Sequence, residues 1–282
     1  MIQSSYISGE TTIQSKQSSQ LIKLYCSWFC PYAQRVWIAL EELSLNYQYI
    51  EINPYKSTDD NHTYTKISLS LQDKKLLYPE FIETSPQGLV PAIRYTDPCK
   101  DIDDKVCDSM VCLEYINEVF GNISGNSLLP SIDYPGQRAR LRYWAVFAND
   151  KIIPYFYKML MSETSDGREK AKANILDNLQ EFARAMSPLS EGPFFNGATF
   201  SIVDIVLAPW WQRLLSVAKE YRGFEIPTEP TLDEFTRLRK WYEAVSSRES
   251  FRKTVVDVHK LLRNYSGYAD NSATSDVARR FR

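Results

Sequence analysis

Hydrophobic positions along the chain fall into two textures. Through 21–120 they come in short runs broken by turns. An apolar run at 21–25 is followed by Ala33, Val36, Trp37, Leu40 and Leu43 at helical spacing, with Gln34, Arg35, Glu41 and Glu42 falling elsewhere on the helix. Alternating Tyr and Ile residues at 47–52 then read as a second strand. Strand, helix, strand implies a parallel pair joined by a right-handed crossover. Residues 53–77 are polar with little periodicity and read as a surface insertion, long for a loop in a compact domain. A short helical turn is expected at 79–84. The stretch 90–95 reads as a strand with Pro91 at its start, where proline removes a ladder donor or marks a cis bond. After a turn at Asp97-Pro98, residues 101–106 return as an antiparallel partner. Asp108 and Ser109, both good cap residues, open a helix with Met110, Leu113, Ile116, Asn117 and Phe120 on one face.

The second texture is helical. Residues 121–134 carry Gly, Asn, Ser and Pro and read as a linker. Helical runs follow at 135–161, 168–186, 201–221, 232–245 and 249–262. Ser201 with Asp204 three residues on, before an apolar run, is a capping-box signature, with Phe200 and Ile205 placed to staple the entry. The expected layout is a disordered extension (1–20), a mixed α/β domain (21–120), the linker (121–134), an all-α domain (135–265) and a flexible tail (266–282) that is basic at its end.

Composition narrows the function classes. With 44% hydrophobic and 13% aromatic residues in 282, the chain can bury a full core. A formal net charge of -2 gives no global reason to expect nucleic acid as a partner. No apolar run is long enough to suggest a membrane. Five cysteines without metal-type spacing suggest neither a metal site nor a disulfide framework, and a reducing cytoplasm is the expected setting. One of them stands out. Cys30 precedes Pro31, a good first helical residue, so its thiol sits at a helix mouth among free N–H donors and the positive dipole end. That setting favours the thiolate, the reactive species. Cys26 lies four positions earlier, not the three of a CxxC redox pair, and reads as a packed thiol.

With those residues in view, the chain resembles the cytosolic glutathione transferases, and among them the omega class and its fungal omega-like relatives. The resemblance runs from about residue 21 to 262. Its pieces occur in order: Phe29-Cys30-Pro31-Tyr32-Ala33-Gln34-Arg35, Pro86-Gln87-Gly88-Leu89-Val90-Pro91, Asp108-Ser109, Ser201-Ile202-Val203-Asp204 and Pro209-Trp210-Trp211-Gln212-Arg213-Leu214. It implies a thioredoxin-like first domain, a helical second domain and glutathione as co-substrate. It implies Cys30 as the catalytic cysteine. Pro31 and Tyr32 would lie beside it, Val90 would pair with the cysteinyl backbone of glutathione, and Pro91 would be a cis-proline. Asp108 and Ser109 would hold the γ-glutamyl group. For the co-substrate pocket it implies Arg213 and Trp241, with Tyr32, Tyr143, Phe147, Trp210 and Trp211 as further candidates. The family's glutathione-binding lysine precedes a Pro-Glu; here Tyr78 stands there, and Lys74 and Lys75 come slightly earlier. The implied activity is glutathione-dependent thiol transfer through a mixed disulfide at Cys30, on a small electrophilic, disulfide or aromatic co-substrate, by a homodimer in the cytoplasm. A ligand carrier of the same fold and a chloride-intracellular-channel-like protein remain as alternatives.

Overall fold

The computed structural model describes residues 20–56, 68–122, 126–228 and 233–281. All of the expected N-terminal extension except Gln20, and 57–67 of the insertion, lie outside the described residues. The first half begins β1 (Leu21–Cys26), α1 (Pro31–Glu42), β2 (Tyr47–Glu51) and continues α2 (Leu71–Leu77), α3 (Pro79–Thr84), β3 (Ala92–Asp97), β4 (Ile102–Cys107), α4 (Ser109–Phe120). The four strands form one sheet in the order β2-β1-β3-β4, with β1 parallel to β2 and the other pairs antiparallel. Alternation along β1 sets the layers. Ile22, Leu24 and Cys26 join the main core beneath α1 and α4, while Tyr25 points to the opposite face and packs with Ile52, Phe81, Ile82 and Ala92. Helix α2 breaks the featureless reading of the insertion. Ser70 and Asp73 cap it reciprocally, a local device that a search for apolar periodicity misses in seven residues.

The second half is helical. Helix α5 (Pro135–Phe147) passes through a π-helical turn at Ala148–Ile152 into α6 (Ile153–Met161), and α7 (Ser165–Arg184) returns against it. Helix α8 (Ile202–Arg213) passes through a second π turn at Leu214–Ala218 into α9 (Lys219–Arg222); α10 (Asp233–Ser247) and α11 (Glu249–Thr254) follow. The run expected at 249–262 is broken after Thr254, and α12 (Val258–Ala269) restarts from an Asp257 cap. The expectation of a flexible tail at 266–282 is corrected: α12 extends to Ala269 and α13 (Asp276–Phe281) packs on α6. Ala278 is wholly buried there, and the Phe281 ring stacks on Tyr157 at 5.1 Å between centroids. The anchors are single side chains on a six-residue helix, so no periodic signal announced them.

Helix α8 is the axis of this half; every residue from Ile202 to Arg213 is buried. Its start is fixed by Asp204, whose carboxylate accepts from Ser201 N and Oγ, Phe195 N and Trp241 Nε1, each at 2.8 Å. Burial raises the Asp204 carboxyl against these four donors, which lower it. Replacing Asp204 by Ala strands those donors in the core. Chemical denaturation is expected to show a loss of about 3 kcal/mol or more, with Asp204→Asn intermediate.

Candidate active site

Three loops meet at the ends of β1, β3 and β4. The first leaves β1 at Cys26 and turns at once, with Cys30 N–H donating to Ser27 O at 2.8 Å and Ser27 Oγ to Ile52 O. Cys30 then occupies the N-cap of α1, with extended backbone and Pro31 at the first helical position. The second loop carries Gly88, Leu89 and Val90 into a cis Val90-Pro91 bond. Gly88 holds φ +64° there, and a Cβ on it would lie 2.9 Å from Lys74 Cδ. The third leaves β4 at Cys107. Asp108, at φ 74°, caps α4 by accepting from Met110 N and Val111 N through one carboxylate oxygen.

These loops surround a cavity of about 650 Å³, within the range of small-molecule sites. Cys30, Pro31, Tyr32, Val90, Pro91, Asp108 and Ser109 all line it, so the structure brings together the residues singled out in the first domain. Their backbone is suited to a peptide ligand. Val90 has no backbone hydrogen-bond partner among the described residues, leaving a short free strand edge. Ser109 Oγ accepts from Arg35 Nη1 at 3.0 Å, so its own hydrogen is free to donate into the cavity. Lys74, on α2, also reaches this wall; its Nζ donates to Gly88 O at 2.8 Å and keeps two further donors.

The second-domain candidates are corrected, apart from Tyr32. None of Tyr143, Phe147, Trp210, Trp211, Arg213 and Trp241 lines the cavity. Tyr143 is exposed at the surface, and Phe147 is packed against Trp144. Trp211 and Trp241 pack edge-on in the core at 5.5 Å. Trp210 lies beneath the site, edge-on to Tyr32 at 4.7 Å and under the Arg35 guanidinium at 4.5 Å. Arg213 is wholly buried behind the Cys30 loop, donating to Phe29 O, Gln34 Oε1, Pro209 O and Tyr265 Oη. Because α8 is buried on every face, its sequence carries no mark of which side looks toward a cavity. The aromatic wall comes from Phe29, Tyr55, Tyr157, Tyr265, Tyr268 and Phe281. Tyr265 and Tyr268, spaced three apart on the buried side of amphipathic α12, were the available signal.

The expected lowering of the Cys30 thiol is also corrected. Burial raises it, and outweighs the N–H groups of Ala33 and Tyr32 and the cations of Arg213 and Arg35, all of which favour the thiolate. The helix mouth does what the sequence implied, but the cavity walls desolvate the sulfur more strongly. Cys26 is fully buried, and its thiol is raised well above the ordinary value. Cys107 lines the cavity, Cys99 is exposed and Cys112 is buried; all five thiols are free.

A family model for the glutathione S-transferase N-terminal domain matches residues 29–119, and one for the C-terminal domain matches 165–244. The probable glutathione S-transferase GSTU6 of Oryza sativa subsp. japonica is 32% identical over 192 residues, covering 66% of this chain and 69% of its own length. The chain belongs to the glutathione S-transferase family. Glutathione S-transferase U15 of Arabidopsis thaliana is 29% identical over 254 residues, covering 89% of this chain and 95% of its own. Among solved structures, glutathione transferase Omega 3C from Trametes versicolor superposes with a TM-score of 0.69 at 30% identity, covering 90% of this chain and 92% of that one. The four-stranded sheet followed by a helical bundle is the fold of this transferase family.

The raised thiol has a kinetic signature. Cys30 stays protonated up to and beyond the ordinary value of 9.0, so alkylation by iodoacetamide is expected to quicken continuously as pH rises through that value. A rate that levels off near neutral pH contradicts this electrostatic balance.

Proposed function

We propose that this glutathione S-transferase is a thiol transferase of the omega type, with glutathione as its co-substrate and Cys30 as its nucleophile. The observation that carries the reading is the position of Cys30 at the mouth of α1, in one cavity with the free Val90 edge, Asp108 and Ser109. Cys30 Sγ, as thiolate, attacks the glutathionyl sulfur of a mixed disulfide. One S–S bond forms, the other breaks, and the co-substrate thiolate leaves and takes up a proton. A second glutathione thiolate then attacks the Cys30–glutathione bond, releasing glutathione disulfide and restoring Cys30. The N–H groups of Tyr32 and Ala33 and the Arg213 and Arg35 cations hold the charge that Cys30 carries at the moment of attack.

In the ground state, Val90 would pair with the cysteinyl backbone of glutathione. Ser109 Oγ and the α4 N-terminus would meet the γ-glutamyl carboxylate, and Asp108 would face its ammonium. Lys74 takes the place of the family's lysine for the glycyl carboxylate, from one helix earlier than the position Tyr78 occupies. The proposal includes a homodimer, for which exposed Val111 on α4 and Tyr143 and Val146 on α5 offer apolar surface. The cytoplasm remains the expected setting. A non-catalytic carrier of aromatic ligands is the second reading, favoured by the tyrosine-rich wall.

Incubation with glutathione disulfide followed by intact-mass measurement separates the two. A glutathione-sized gain that disappears in Cys30→Ser supports transfer; an adduct that persists in the variant removes Cys30 from the mechanism. Lys74→Met is expected to raise the KM for glutathione about tenfold, the equivalent of one charge-assisted hydrogen bond. An unchanged KM removes Lys74 from the glycyl end.

A further inference from the structure

The cavity wall supplied by α13 contains a cation with no partner. Arg279, its neighbour, is paired with Asp276 and donates to Thr274 O. Arg280 lines the cavity but has no hydrogen bond or ion pair among the described residues; only the Phe281 ring lies near its guanidinium, at 5.6 Å. The other charged groups on the same wall are engaged. Lys74 is bonded to Gly88 O, Asp108 caps α4, and Asp276 is held by Arg279.

Arg280 is also fixed in direction. Its helix is anchored on one side by the Phe281–Tyr157 stack, with the rings 6° from parallel. On the other side Tyr268 Oη and Ser275 Oγ are 2.7 Å apart, and Ser275 Oγ accepts from Ala278 N. The segment leading into the helix is bonded across to the insertion, with Ser68 N donating to Thr274 Oγ1. Arg280 therefore faces an aromatic chamber and is close enough to Tyr32, next to Cys30, to act electrostatically on its hydroxyl.

We infer that Arg280 is a specificity-determining residue, and that the co-substrate half of the cavity takes a planar aromatic compound carrying a carboxylate. The ring packs among Tyr55, Tyr265 and Phe281, and the carboxylate meets the guanidinium fork. A neutral aromatic of the same shape fills the same walls and leaves Arg280 unpaired. The inference deepens the proposed function by naming a substrate class for the same site. Binding of the carboxylate does not itself require transfer chemistry.

The test is calorimetric titration of the full chain with biphenyl-4-carboxylate and with biphenyl-4-carboxamide. The carboxylate is expected to bind at least about fivefold more tightly, a modest value for a partly exposed ion pair. In Arg280→Gln that ratio is expected to fall to about one, and Arg280→Lys to restore part of it. No preference in the unmodified protein, no measurable binding of either compound, or an equal loss for both in Arg280→Gln overturns the inference. The last outcome would mean that the side chain only packs the tail. Turnover of the mixed disulfide of glutathione with 4-thiopyridine, in the unmodified protein and in Cys30→Ser, reports on transfer separately. Its absence alongside an intact carboxylate preference would sink the thiol-transferase reading and leave the role of Arg280 standing.

Discussion

Two buried guanidinium groups hold the halves of this protein together and set the floor of its cavity. Arg35 is rooted in α1 and reaches into the helical half, donating to Val206 O and Asn149 Oδ1 as well as to Ser109. Arg213 is rooted in α8 and reaches back, donating to Phe29 O and Gln34 Oε1. Neither meets a carboxylate among the described residues, and both are wholly buried. Burial lowers Arg35 to about 10, which still leaves it charged at neutral pH. Such desolvated cations are costly unless their hydrogen bonds are well made. The two therefore fix the geometry between the halves closely, and the Cys30 loop and the α4 N-terminus are both pinned by them.

The same arrangement puts opposing influences on one sulfur. The helix mouth and the two cations draw Cys30 toward the thiolate, and the surrounding walls draw it back. Much of the far wall is contributed by α12 and α13, at the opposite end of the chain from β1. The resting thiol is thus a property of the closed cavity and not of the Cys-Pro turn alone. A ligand that brings polar groups into the chamber changes the dielectric around the sulfur as well as its access.

The first half was legible because its signals are local. Cys30-Pro31, the strand alternation and the Asp108 cap each depend on neighbours in sequence, and all fall where their pattern put them. Capping at Ser201 and Asp204 was legible for the same reason. The second half gave its helices but not its cavity face. Trp210, Trp211, Trp241 and Arg213 look alike to any periodic reading because α8 and its neighbours bury them all. Arg35 was hidden by its charge, which places it off the apolar stripe although its partners lie in the other domain. The ordered tail depends on Phe281 meeting Tyr157, a contact between residues far apart in the chain, which no window of sequence contains.

The π turns within the long helices bear on how this bundle can change. Each holds one residue beyond the α-helical repeat, so the segments on its two sides are out of phase by that residue. At Ala148–Ile152 the surplus lies just ahead of Phe156 and Tyr157, which face the core and the cavity. Losing one residue there would regularise the helix and swing everything beyond it by about 100°, carrying Tyr157 away from Phe281 and closing the chamber with different atoms. A one-residue indel in a surface loop would be absorbed locally; in this helix it would re-index a whole wall of the site.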